Sequence, residues 1–138
     1  MAGAGPAATV EAMDALRRAL GLLSLVYLLV FACFGLSHAG VALGPLHQPV
    51  IVPAVIVETL CAAAMLTGAV GALSGRAWAW DGLIYTHAGA LAGVLLGIMA
   101  VAFRAGGENA LLTWYHGTMA TMLAAGLAGA FYVSRVRR

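Results

Sequence analysis

Four apolar windows, residues 19–41, 50–73, 80–103 and 110–133, constrain this chain more than any other feature. A helix crossing ~30 Å of hydrocarbon needs roughly 20 apolar residues, so each window is long enough to span a bilayer. Their boundaries carry helix punctuation. Arg17 and Arg18 precede the first window, and Gly44, Pro45 and Pro49 separate the first two. Ser74, Gly75 and Arg76 close the second, and the segment from Arg104 to Asn109 divides the third from the fourth. Pro53 falls in the first turn of the second helix, where a missing N–H is harmless. The pattern predicts an all-α membrane protein, a single four-transmembrane-helix bundle over residues 1–138. Residues 1–16 are expected to form a short interfacial or flexible arm ahead of it.

Composition closes off the other classes. A soluble domain carries about 25% charged residues, whereas this chain has 9%, with 7 basic and 5 acidic side chains. That leaves too few polar groups to wet a surface, too much hydrophobicity for a disordered chain, and too few cations for nucleic-acid binding. The bilayer is therefore the expected partner. All the cations are arginine, and four spans put Arg17, Arg18, Arg76, Arg135, Arg137 and Arg138 on one side with Arg104 alone opposite. The positive-inside rule then predicts cytoplasmic N- and C-termini. Trp78, Trp80 and Tyr132 mark the inner interface and Trp114-Tyr115 the outer one. Ser37-His38-Ala39 imitates a signal-cleavage site, but the apolar run before it is longer than a signal core, so the first helix is expected to be retained.

Helices in lipid associate through small residues and polar side chains. On the third helix Asp81, Tyr85, Gly89, Gly93 and Gly97 recur at i+4, a glycine-zipper ridge predicted to pack inward. On the fourth, Thr113, His116, Gly117, Ala120, Thr121, Ala124, Ala125 and Ala128 are assigned to the inward face, with Leu112, Tyr115, Met119, Met122 and Leu123 elsewhere. The second helix offers Ala54, Glu58, Cys61, Ala62, Met65, Gly68, Ala69 and Ala72. The first offers Ser24, Tyr27, Phe31, Gly35 and His38.

Glu58 most needs a reason, because a charged side chain at the centre of a span costs ~2.5–3.5 kcal/mol on insertion scales. At 1.5 Å per residue Glu58 lies roughly 10 Å and His116 roughly 8 Å below the outer boundary, with His38 near that boundary. His87 lies roughly 24 Å from it, outside the cluster. Glu58 and His116 are the candidate catalytic acid and base; His38, Tyr27, Tyr85 and Trp114 are candidate substrate-binding residues.

Three roles fit such a cluster: acid–base chemistry on a lipophilic substrate, a two-histidine-one-carboxylate metal set of Glu58, His38 and His116, or proton-coupled carriage. A fourth reading is purely structural, with Glu58 hydrogen-bonded to His116, Tyr27 or Thr59 to specify helix pairing. No metal is assigned to the candidate site, and no cofactor is legible in the sequence.

The remaining polar residues read more plainly. His47 is a loop residue, and His87 is expected to bond to a nearby backbone carbonyl. Cys33 and Cys61 lack a CxxC and read as free thiols. Asp81 is expected to cap the third helix or pair with Arg76 or Arg18. Arg104, Glu108 and Asn109 form a solvated outer turn or a polar lid.

Arg17-Arg18-Ala19-Leu20-Gly21-Leu22-Leu23, Phe34-Gly35-Leu36-Ser37-His38, Glu58-Thr59-Leu60 and Leu66-Thr67-Gly68 resemble the small four-helix DoxX-like proteins of bacterial membranes. That family's second helix commonly has an acid followed about ten positions later by glycine, as at Glu58 and Gly68. Trp114-Tyr115-His116-Gly117 lies outside the pattern. The resemblance implies a multi-pass protein of the bacterial plasma membrane with redox partnerships, such as the small subunit of a thiosulfate:quinone oxidoreductase. It supplies no catalytic residue.

The leading expectation is a protein that binds a lipophilic small molecule, or serves as accessory subunit of a membrane redox or lipid pathway, through a buried Glu/His pocket. The alternatives are an acid–base isomerase or cyclase on an isoprenoid- or quinone-like substrate, and a proton-coupled small transporter. Small multidrug exporters carry their key glutamate on the first helix, which here has none. Assembly as a homo-oligomer or within a larger membrane complex stays open.

Overall fold

The computed structural model describes residues 6–44, 48–103 and 110–136. It contains four helices, α1 (Pro6–His38), α2 (Val52–Leu73), α3 (Ala79–Ala102) and α4 (Ala110–Val136), and no strand among the described residues. Each is long and apolar enough to cross a membrane, the arrangement of a multi-pass membrane protein. Consecutive helices pack side by side, α1 on α2, α2 on α3 and α3 on α4, while α4 touches α1 only lightly. Gly75, at φ +63, makes the tight turn between α2 and α3, a left-handed conformation that costs glycine little.

The arm expected at residues 1–16 is not separate from the first span. α1 begins at Pro6 and runs unbroken for 33 residues, about 50 Å at 1.5 Å each, so its first turns project beyond ~30 Å of hydrocarbon. No glycine or proline interrupts the helix between Pro6 and Gly21. Tertiary contacts hold the extension. Met13 and Leu16 pack on a second core cluster of Leu20, Ala72, Trp80, Leu83, Ala130 and Val133. Arg17 bonds to Asp14 at 3.3 Å and donates to the Ala72 carbonyl near the end of α2. Residues 1–5 lie outside the described residues.

The buried positions follow an alternating three–four spacing on every helix. They include Leu20, Ser24, Tyr27, Phe31, Phe34 and His38 on α1, and Glu58, Cys61, Met65, Gly68 and Ala72 on α2. On α3 they include Trp80, Leu83, His87, Ala90 and Val94. On α4 they include Leu112, His116, Met119, Leu123, Gly126, Ala130 and Val133. An average period of 3.5 drifts only about 20° per heptad and keeps one seam facing its neighbours.

Two predicted faces are corrected by this register. On α3, Asp81, Tyr85 and Gly89 are exposed, and a β-carbon on Gly89 would meet nothing within 4 Å. Only Gly93 and Gly97 approach other helices. On α4, Thr113, Gly117, Thr121, Ala124, Ala125 and Ala128 are exposed, while Tyr115, Met119 and Leu123 fill the centre. The physical reason is shared. A row of i+4 positions advances about 40° per step on a 3.6-residue helix, so from Asp81 to Gly97 it swings through about 160° and cannot face one neighbour. The faces assigned to α1 and α2, which mix three- and four-residue steps, are inward: all those residues are buried except Ala54, which is half-buried.

Candidate functional site

The site lies at the end of the bundle where the C-terminal ends of α1 and α3 meet the N-terminal ends of α2 and α4. His38 is the last residue of α1, and its backbone carbonyl accepts a hydrogen bond from Ile51 N–H at 3.0 Å, fixing the end of α1 against the entry to α2. From there its imidazole Nδ1 reaches Glu58 Oε2 at 2.8 Å, with both residues buried. The other carboxylate oxygen, Oε1, accepts from the Tyr115 hydroxyl at 3.4 Å, a long contact. Glu58 therefore has a partner on each oxygen, which offsets the cost of holding a carboxyl group in an apolar interior.

Tyr115 is placed by stacking. Its ring lies on Phe34 with centroids 3.7 Å apart and planes 10° apart, bridging the loose seam between α1 and α4. His116, beside it on α4, donates from Nδ1 to the Leu112 carbonyl at 2.7 Å. A carbonyl can only accept, so Nδ1 carries the proton and Nε2 of the neutral ring is left as an acceptor. The ring packs against Gly97, whose missing side chain gives it room.

These four polar side chains line a cavity of about 570 Å³ between α2 and α3. Its walls are otherwise apolar, with Ile51 just before α2, Pro53, Ala54 and Val57 from α2, and Val94, Leu96, Ala100 and Val101 from α3. A mostly apolar pocket with a few convergent polar groups is the usual form of a small-molecule site, and this volume suits a drug-sized ligand.

The structure thus brings Glu58, His116 and His38 together, but with different partners from those weighed in the sequence. Glu58 bonds to His38 and Tyr115, while Thr59 Oγ1 donates to Val55 O at 2.7 Å. Among the described residues no group of three His, Cys, Asp or Glu side chains is placed to hold a metal ion, so the two-histidine-one-carboxylate alternative is not assembled.

Tyr27 is buried but sits eleven residues, about 16 Å, before His38 along α1 and does not line the cavity. Its ring stands edge-on to His87, with centroids 5.9 Å apart. Tyr85 is 77% exposed on the N-terminal half of α3. Trp114, 75% exposed, lines a separate apolar groove of about 320 Å³ between α1 and α4. Tyr115 is absent from the site residues read from the sequence; it lies beside the α4 seam, and its stacking on Phe34 brings it to Glu58.

The other polar expectations resolve individually. His87 Nδ1 donates to the Leu83 carbonyl at 2.9 Å, as anticipated. Its Nε2 and the Tyr27 hydroxyl are buried without a partner among the described residues. Cys33 and Cys61 are free thiols. Asp81 is exposed; the α3 N-cap is Trp78 with no side-chain cap, and among the described residues Asp81 forms no ion pair with Arg76 or Arg18. His47, Arg104, Glu108 and Asn109 lie outside the described residues.

No family model, curated protein or solved structure matches this chain.

Proposed function

We propose that this protein binds a lipophilic small molecule in the outer half of a bacterial plasma membrane, as a binding protein or accessory subunit of a redox or lipid pathway. One observation carries the reading: the His38–Glu58 pair, 2.8 Å apart, lies on the wall of an otherwise apolar cavity of about 570 Å³. Cytoplasmic termini belong to the same proposal. Arg17 touches the inner end of α2, and Arg135 ends α4 beside the second core cluster, so the arginine-rich ends share one side of the bundle. The likeness to DoxX-like proteins supports a bacterial setting and membrane redox partnerships.

The test is recovery of a bound molecule. Protein extracted in mild detergent is expected to carry a lipophilic species detectable by mass spectrometry of the organic extract. Ala54→Trp, which fills the cavity, should lose it, while Ala124→Trp on the exposed face of α4 should retain it. Equal recovery from both variants, or none from the unaltered protein, would overturn the reading.

A second reading has one observation in its favour. A carboxyl group hydrogen-bonded to an imidazole beside a substrate-sized cavity is the equipment of acid–base catalysis on a lipophilic, isoprenoid- or quinone-like substrate. An isomerase of this kind would place solvent deuterium into its product, and Glu58→Gln would abolish the uptake.

A further inference from the structure

Three of the seams around the cavity are closed near Glu58. Between α1 and α2, the Ile51 N–H donates to the His38 carbonyl at 3.0 Å, and a β-carbon on Gly35 would come to 3.5 Å from that of Glu58. Between α1 and α4, Phe34 lies flat on Tyr115. Between α3 and α4, the His116 ring fills the space beside Gly97. The seam between α2 and α3 behaves differently. A β-carbon on Gly93 would lie 2.7 Å from Cys61 Sγ and 3.1 Å from Val57 Cγ1, so the two helices touch there. Beyond that contact they part: burial on α2 begins at Glu58, and on α3 it ends at Val94. One helix leans on α1 and the other on α4, and the cavity occupies the wedge left between them.

The wedge opens sideways. Pro53 on α2 and Leu96 and Ala100 on α3 line the cavity and are also exposed on the bundle surface, Leu96 by 60%. Pro53 and Val57 are four residues apart, as are Leu96 and Ala100, so each helix presents an apolar row to the gap. Gly93 lies nine residues before the end of α3, about 14 Å at 1.5 Å each, so the gap runs along roughly half of a ~30 Å hydrocarbon layer. Beside such rows on spanning helices lies lipid chain. A mouth of proline, leucine and alanine side chains offers water no hydrogen bond, and an apolar void left empty forfeits dispersion contacts along its lining. A hydrocarbon chain supplies them.

We infer that the gap between α2 and α3 is a lateral port, through which the hydrocarbon chain of a bilayer lipid enters the cavity from within the membrane. The ligand is thus a lipid drawn from the bilayer itself, its chain passing between Pro53 and Val57 on one side and Leu96 and Ala100 on the other. This deepens the ligand-binding reading above and rests on it.

The probe is phosphatidylcholine carrying a diazirine at the middle of one acyl chain, delivered by vesicle fusion to liposomes that hold the full chain. Leu112 reports entry, because it is 3% exposed and lines the cavity from α4. Irradiation followed by peptide mass spectrometry is expected to find adducts at Leu112 as well as at exposed residues such as Leu60. The port is then closed. Pro53→Cys and Ala100→Cys, in a background where Cys33 and Cys61 are replaced, are joined by a bis-maleimide, and the same protein with both thiols capped by N-ethylmaleimide is the control. Aliquots irradiated at intervals after fusion should show Leu112 labelled about tenfold more slowly with the bridge than with the caps, as for a gate held shut. Should the bridged protein fail to fold, Leu96→Trp, which places a larger side chain at an exposed position of the port, is expected to slow the labelling in the same direction.

Adducts confined to exposed residues, in a protein whose Ala54→Trp variant still loses its extractable lipid, would overturn the port and leave the ligand reading standing. Equal labelling rates with bridge and caps would do the same and assign entry to the end of the bundle. If Leu112 is never labelled and Ala54→Trp also leaves the extractable lipid unchanged, both readings fall together.

Discussion

The imidazole of His116 occupies the space that a β-carbon on Gly97 would need. This contact joins α4 to α3 at the depth of Glu58 and sets the orientation of the ring that lines the cavity. Gly97→Ala is expected to force the ring aside and destabilise the protein by about 1–3 kcal/mol, the usual cost of overpacking. Gly89→Ala, on the exposed part of the same i+4 row, should be neutral or stabilise by about 0.5–1 kcal/mol through backbone entropy. Unfolding in mixed micelles measures both, and equal costs would count against the assigned register.

His38 and Glu58 are buried together, so each depends on the other. Glu58→Ala should cost about 3 kcal/mol or more by leaving a buried polar ring without its acceptor. The double variant His38→Ala/Glu58→Ala should cost less than the sum of the two singles. A double-mutant cycle giving coupling near zero would show that the 2.8 Å contact contributes no energy.

On α4 the three–four seam and the i+4 stripe make opposite forecasts. Gly126→Ala would bring a methyl group to 2.8 Å from His87 Cδ2 and should destabilise by about 1–3 kcal/mol. Ala124→Leu and Ala128→Leu, both exposed, should change stability by less than about 0.5 kcal/mol. Thermal unfolding of the three variants decides between the two faces; the reverse order would put the small-residue stripe inside.

Tyr27 buries a hydroxyl that has no partner among the described residues. Tyr27→Phe is therefore expected to be neutral or to stabilise by up to about 1 kcal/mol, because it removes a desolvated polar group and keeps the ring against His87. Ligand recovery should be unchanged, since Tyr27 does not line the cavity. A marked loss of either stability or ligand would give the hydroxyl a role that the geometry does not.

Cytoplasmic termini predict the labelling pattern of single cysteines in a background where Cys33 and Cys61 are replaced. A cysteine at Ser74, in the α2–α3 turn, should react with an impermeant thiol reagent only after the inner membrane is opened. One at Ala42, beyond the end of α1, should react in intact spheroplasts. The opposite pattern would invert the protein.

Legibility in the sequence divided along physical lines. Glu58 stood out because a charged type within a span is costly wherever the helix points, and that judgement needs only composition and position. The i+4 ridges of α3 and α4 misled because a spacing rule ignores how quickly such a row winds around the helix. Tyr115 is not legible from spacing because a contact with another helix, its stacking on Phe34, places it.

What the sequence determined by itself is one-dimensional: four spans, their order, and arginines gathered at alternate ends. Hydrocarbon thickness converts run length directly into a helix, and alternate crossings assign charges to sides, with no contact required. Tertiary structure alone decided that Glu58 bonds to His38 and Tyr115, that His116 turns its Nδ1 to its own backbone, and that these groups share a cavity. Those outcomes depend on the rotation of each helix about its axis. That rotation is set by packing along a 3.5-residue seam between neighbours, a property of pairs of helices.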